Sequence, residues 1–385
     1  MEGLGPIRAR AVPHAATVAG LAARVRGARL WRMRGFVPVL PVPQMVLFAT
    51  AAVAPLVLLL LGVAAGGVWA LAGLAYMAGL TALLDHLIRR TAPDALEGAE
   101  FPAADPLLAV IGLGHLLAFP LAVWAIAGDS GLPLWVRGLL FLGFGQFFGQ
   151  VSNPAAHELI HRGQRGLFRL GAAVYITLLN GHHTSAHRLV HHRHVATPED
   201  PNSALAGESF YHFLPRAYLG SFRAGKRAED TRRAQRGKGP HPYAVYLGGQ
   251  ALCLGLGFFL AGWAGVAVWA TLAAYATVQL MLSDYVQHYG LRRARLADGR
   301  YAPVDDRHSW NAPHWFSSGV MLNAPRHSDH HAHPARPYPA LRLPAPGQAP
   351  WLPYSLPVCA ALALVPRLWR RVMDPRLARW AEPAE

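Results

Sequence analysis

Histidine is the residue type in this chain whose number and spacing could do chemistry. There are 20 histidines in 385 residues, and fourteen of them fall in two windows, 157–194 and 308–333. His157 and His161 are four apart, as are His187 and His191 with His192 adjacent; His327, His330 and His331 repeat the three-and-four pattern. On a helix these intervals place imidazoles on one face. His288 is a ninth candidate, five residues past an apolar run that ends near 283. A single zinc takes about four ligands and a catalytic one about three, so nine imidazoles suit two metal ions better than one. Imidazole nitrogen binds Zn, Cu, Fe and Ni alike, and spacing does not choose among them. A lipid-dissolved substrate attacked at an unactivated C–H bond would call for iron and O₂ rather than a Lewis acid.

Blander readings compete. The string His157-Glu158-Leu159-Ile160-His161 matches the H-E-x-x-H zinc-peptidase pattern with Glu158 as general base, but that reading leaves the boxes at 187–192 and 327–331 without purpose. At a metal site Glu158 reads instead as an outer carboxylate that orients a ligand or ligates, and Asp329, between two boxed histidines, is a similar candidate. His14, His212 and His241 read as surface groups. His86 and His115 sit in or beside apolar runs and read as structural or part of a proton or substrate path. His182, His183, His194, His308, His314 and His333 are outer or surface candidates. A non-catalytic metal store or transporter is a rival from another class, although transporters place ionisable ligands near the bilayer midplane.

The elements that must position these histidines are membrane spans. The chain is 53% hydrophobic and 15% charged, with a mean hydropathy of +0.21. Its apolar runs, at about 36–62, 66–87, 106–127, 133–152, 243–263 and 264–283, each approach the roughly 20 residues that cross a hydrocarbon core. An all-α integral membrane protein of about six spans is predicted. The stretches near 167–180 and 351–366 are too short or too Pro-interrupted to span, and read as re-entrant or interfacial.

Seven arginines (Arg8, Arg10, Arg24, Arg26, Arg29, Arg32, Arg34) precede the first run, which marks residues 1–35 as a basic cytoplasmic segment. The net charge of +15 is explained by this topology, and nucleic acid is not expected as a partner. An even number of spans separates the two histidine windows, so the rest of the 36–385 membrane domain, 153–242 and 284–385, should form one cytoplasmic cap carrying one site. Within it, 222–241 is rich in Arg, Lys and Gly and reads as a mobile loop. Cys253 and Cys359 are the only cysteines; they form no C-x-x-C iron or zinc knuckle, and an iron–sulfur electron donor would be a separate protein.

At these residues the sequence resembles the membrane-bound alkane 1-monooxygenase family, and more distantly the xylene monooxygenases and membrane fatty-acid desaturases. HELIHR at 157–162, HRLVHHRHVATPEDP at 187–201 and RHSDHHAHPARPY at 326–338 look like its three histidine boxes. DYVQHYGL at 284–291 is similar to the motif that separates its hydroxylases from desaturases. RHSWNAPHWFSSGVMLN at 307–323 and PRLWRRVMDPRL at 366–377 also look familial, so the likeness runs over about 80–377. The second box reads Ala186-His187-Arg188 where Glu-His-Asn is usual, and Gln287 and Asp284 stand where Glu and Asn are common. Gln287 is more like the branch that oxidises aromatic methyl groups.

The resemblance implies that His157, His161, His187, His191, His192, His288, His327, His330 and His331 ligate two irons, with O₂ as co-substrate. It implies terminal hydroxylation of medium-chain alkanes to primary alcohols, with aromatic-methyl hydroxylation and fatty-acyl hydroxylation or desaturation as alternatives. Rubredoxin or a ferredoxin, reduced by an NADH-dependent reductase, would supply electrons. The implied place is a bacterial inner membrane, with both termini and the metal site cytoplasmic.

Overall fold

The computed structural model describes residues 44–88, 91, 93–236 and 239–380; the basic segment 1–35 lies outside them. Its regular structure is helical. Among the described residues, four helical stretches are long and apolar enough to cross a bilayer: Gln44–Ala65, Gly67–Leu87, Ala104–Ala127 and Pro242–His288. Their outward faces carry large apolar side chains, among them Leu117 and Phe259, 74% and 85% exposed. In water that surface would be a liability; in lipid it meets its natural solvent.

Helix α1 (Gln44–Ala65) packs against α2 (Gly67–Ala75), which passes through a π turn at Tyr76–Leu80 into α3 (Thr81–Leu87). Gly66, at φ 82°, makes the reversal between them. Next comes α4 (Ala104–Ala127), then α5 (Leu134–Phe147), which runs through a second π turn, Phe148–Ser152, into α6 (Asn153–Ile160). The predicted span 133–152 is thus α5 and its π turn rather than one long α-helix. Buried Phe119 and Phe148 stack on each other and pack against His115, with Trp269 tilted against Phe119; His115 Nε2 meets Thr177 Oγ1 at 2.7 Å. His115 is an interior group, fully buried.

The predicted spans 243–263 and 264–283 appear as one element, α11 (Pro242–His288), of 47 residues. At 1.5 Å per residue it would extend about 70 Å, more than twice a hydrocarbon core. It does not stay straight. Ala261 and Gly262 leave helical geometry, Gly262 at φ 58° and ψ −146°. A Cβ on Gly265 would lie 1.9 Å from the Gly257 carbonyl oxygen. In a straight helix residues eight apart are about 12 Å apart, so the chain folds back and α11 is a tight hairpin.

Around these helices lies the remainder. It comprises α7 (Arg165–Thr177), α8 (His183–Ala186) with a π turn His187–His191 and α9 (His192–His194), then α10 (Phe210–Arg236), α12 (Trp315–Val320), α13 (His327–Ala332), α14 (Leu356–Ala363) and α15 (Pro366–Leu377). The loop predicted over 222–241 is a correction, because α10 is helical to Arg236. Its charges pair along the helix, Lys226 with Asp230 at 2.8 Å, while Phe210, Phe213 and Ala217 bury one face. Glu229, 4% exposed, accepts a hydrogen bond from Ser185. Composition gave a loop; amphipathic packing made a helix.

Candidate metal centre

All nine boxed histidines come together. Nitrogens of His157, His161, His187, His192 and His330 lie within 4.8 Å of one another, and those of His191, His288, His327 and His331 form a second such group. The groups adjoin: His192 and His331, one from each, have ring centroids 4.6 Å apart. The nitrogens converge through Nε2. His187 and His192 approach to 2.9 Å, His192 and His330 to 3.0 Å, His288 and His327 to 3.0 Å, and His327 and His331 to 3.1 Å.

Local structure explains which histidine joins which group. His157 and His161 share a face of α6 and its C-terminal turn, and His327 and His331 share a face of α13, as α-helical spacing requires. His187 and His191 do not pair as their four-residue interval predicts. The segment His187–His191 is a π turn, in which residues five apart align. His192 therefore joins His187, and His191 turns to the other group.

The chemistry of the donor set fits metal ions. A neutral imidazole has one N–H and one acceptor nitrogen, so four or five nitrogens aimed at one point cannot all be satisfied by each other. His157 Nε2, His161 Nε2 and His191 Nε2 are buried with no hydrogen-bond partner among the described residues. Burial also keeps the rings neutral and able to ligate: it lowers His157 to about 3, and holds His161, His187, His192, His330 and His331 well below the usual histidine value. Each group contains histidine alone, a borderline nitrogen donor set that suits Zn, Cu, Fe and Ni alike.

With Nε2 turned inward, Nδ1 is free for outer partners. His191 Nδ1 meets Asp200 Oδ2 at 2.8 Å. Burial opposes charge on His191, yet Asp200 and Asp284 raise its pKa, and His191 with its hydrogen-bond neighbours keeps Asp200 low despite burial. Asp200 also accepts from Ser203 Oγ and the Asn202 amide, and Asn202 Nδ2 donates to Asp284 at 2.6 Å. Sequence reasoning missed Asp200 as an orienting group. It lay inside the second-box string, but only the fold reveals that it faces His191.

Glu158 and Asp329 part company. The Glu158 carboxylate is buried, 4.0 Å from His330 Nδ1, and accepts from the Tyr338 amide at 3.2 Å with Arg162 3.3 Å away. Burial, partly offset by Arg162, pushes it up to about 7. Asp329 accepts from His333 Nδ1 at 2.9 Å, the Arg342 amide at 2.8 Å and Arg336. Its bonds brace the third box from outside. Of the outer histidines, His183 stacks on His187 with centroids 5.0 Å apart; His308 caps a short turn through Asp305.

Other elements hold the boxes in place. Buried Asp85 at the end of α3 accepts from the Phe316 and Ser317 amides, both at 3.1 Å, and so caps α12. Asn311 bonds Ser328 Oγ at 2.7 Å and accepts from the Ser328 amide, fixing the start of α13. A cavity of ≈ 240 Å³ opens on the centre, with His157, His187, His327 and His330 in its wall. From there it runs between α5, the second leg of α11 and α14.

The fatty acid desaturase family model matches residues 130–359, which include every one of the nine histidines. The chain is 32% identical over 328 residues to alkane 1-monooxygenase 1 of Pseudomonas aeruginosa, covering 80% of this chain and 83% of that one. It is 34% identical over 314 residues to alkane 1-monooxygenase 2 of the same organism, covering 78% and 81%. A xylene/toluene monooxygenase hydroxylase component of Pseudomonas putida is 26% identical over 344 residues, covering 83% and 86%. A converged all-histidine centre and these likenesses lead to one assignment: the chain is an oxidoreductase of the fatty acid desaturase family, in its alkane 1-monooxygenase branch.

Proposed function

We propose that this chain hydroxylates the terminal methyl group of medium-chain alkanes to primary alcohols at a di-iron centre in a bacterial inner membrane. The observation that carries the reading is the split of nine imidazoles into two adjoining groups. His157, His161, His187, His192 and His330 would hold one iron; His191, His288, His327 and His331 would hold the other. Irons held there would supply O₂ activation and the power to attack an unactivated C–H bond. In balance, one oxygen atom enters the substrate and the other leaves as water, consuming two electrons and two protons.

The chain's own residues bind, orient and shield. Asp200 holds the Nδ1 proton of His191 and so fixes that ring, while Glu158 lies beside His330. The walls of the cavity exclude water and direct one end of an extended chain toward His157 and His327. Electrons would arrive from a separate rubredoxin or ferredoxin, itself reduced by an NADH-dependent reductase. The basic composition of the cap would favour docking of an acidic donor. Six spans, with both termini and the metal centre cytoplasmic, complete the proposal. In it, α5 with its π turn is one span and the two legs of α11 are two more.

The test is metal content together with product identity. Full-length protein in nanodiscs, supplied with rubredoxin, its reductase and NADH, should hold two irons per chain and convert dodecane to 1-dodecanol. Zinc without iron would overturn the di-iron centre. Oxidation of xylene but not of dodecane would move the substrate to aromatic methyl groups, the reading Gln287 favours.

A further inference from the structure

The cavity beside the metal centre is not uniformly apolar. On one side Gln146, Gln150 and His157 follow one another along α5, its π turn and α6; opposite, Tyr275, Gln279 and Ser283 are spaced four apart on the second leg of α11. The amides form a connected set. Gln146 Nε2 donates to Tyr275 Oη at 2.8 Å, Gln150 Nε2 donates to Gln146 Oε1 and, at 3.3 Å, to Gln279 Oε1, and Gln279 Nε2 donates to the Gly145 carbonyl at 2.8 Å. The groove for these side chains is built into the backbone. A Cβ on Gly145 would meet the Tyr275 ring at 2.1 Å, and one on Gly149 the Gln279 amide at 2.3 Å.

Two hydrogen-bonding positions in this set are left over. Gln150 Oε1 is buried with no partner among the described residues, and Tyr275 Oη accepts from Gln146, leaving its own hydrogen to give. A free acceptor and a free donor, both bridged by the Gln146 amide, match a hydroxyl, which donates to one and accepts from the other. The described lining includes no Lys or Arg that would pair a carboxylate. At 1.5 Å per residue, Gln150 and Gln146 lie about 10 and 16 Å from His157 along the helix axis. A group bound there is remote from the reacting end of a chain. The facing wall, Leu356 and Ala360 of α14 and Leu364 just past its end, suits methylenes.

We propose that the deep end of the cavity is a hydroxyl-recognition subsite, so that aliphatic chains carrying a neutral hydroxyl remote from the methyl group bind in preference to the bare alkane. The inference rests on the hydroxylase reading above and names its substrate class. In balance, the far methyl C–H of such an alcohol gains one oxygen atom from O₂, the other leaves as water with two protons from solvent, and an external iron–sulfur donor supplies the two electrons. The product is the terminal diol.

Binding and turnover are read separately, with n-dodecane, 1-dodecanol and dodecyl methyl ether at equal mole fraction in nanodiscs holding the metal-loaded full chain. 1-Dodecanol should bind about tenfold more tightly than dodecane, as one or two buried hydrogen bonds allow. The ether, which accepts but cannot donate, should fall between them. Tyr275→Phe keeps the ring and should narrow the alcohol-to-alkane ratio severalfold; Gln150→Leu should bring alcohol and ether together. Equal binding of alcohol and alkane, or a preference that both variants leave unchanged, overturns the subsite and leaves these side chains as interhelical glue. An alcohol preference abolished by the variants, with neither compound oxidised, upholds the subsite and refutes the hydroxylase reading instead.

Discussion

At the residue scale, the histidine boxes were legible because their information is local: short intervals on short helices. What was not legible is what the fold brings from elsewhere. Asp200 earns its role only because the loop after α9 turns its carboxylate onto His191 Nδ1 at 2.8 Å, and no spacing rule connects those two side chains. Replacing it tests that role. Asp200→Ala removes the acceptor that fixes the ring and leaves a buried Nδ1–H unpaired, so metal affinity or activity should fall about 10- to 100-fold, with Asp200→Asn retaining part of it; wild-type metal content and turnover in the alanine variant would rule the role out. Glu158 poses a sharper choice. A general base at this position would contribute about 10² to 10⁴ in rate, whereas a group that only steadies His330 and the Tyr338 amide would contribute far less. Glu158→Gln keeps an acceptor for Tyr338 and should lose less than about tenfold in turnover; a loss of 10³ or more with metal retained would restore the general-base reading.

At the scale of elements, hydrophobic run length located the four long apolar helical stretches, because roughly 20 apolar residues are needed whatever the sequence details. The π turns were invisible to it. They change phase rather than composition, and that at His187–His191 decides which metal group each second-box histidine enters. Similarly, a run-length reading divides 243–283 near its middle but does not say how tightly the chain reverses. Gly262 carries the turn with backbone angles that suit glycine, and Gly265 lets the two legs approach at the Gly257 carbonyl. Gly262→Ala should cost about 1–3 kcal/mol in backbone strain. Gly265→Ala should cost more, because the obstructing atom is backbone and cannot swing aside. Melting of the detergent-solubilised protein, followed by tryptophan fluorescence, should fall in that order; a Gly265→Ala variant that melts like the wild type would contradict the close approach.

For the whole molecule, the assembly of the centre constrains topology more strongly than any single run. His191 precedes α11 and His288 ends it, yet their rings lie 4.8 Å apart. The chain between them must therefore cross the membrane an even number of times. A single 47-residue crossing is excluded by that contact, and the break at Ala261–Gly262 supplies the return. The same parity was readable in the sequence, where both histidine windows fall on one side of an even count of spans; which side it is depends on arginine placement, including residues before Gln44. With the basic ends inside, a fluorescent-protein fusion ending at Gly239 or at Trp380 should fluoresce in the cytoplasm. A fusion ending at Gly262 should be dark, while an alkaline phosphatase fused there should be active. Phosphatase activity at Gly239 and Trp380 with fluorescence at Gly262 would invert the protein in the membrane and move the metal centre, and with it the docking face for an electron donor, to the opposite side.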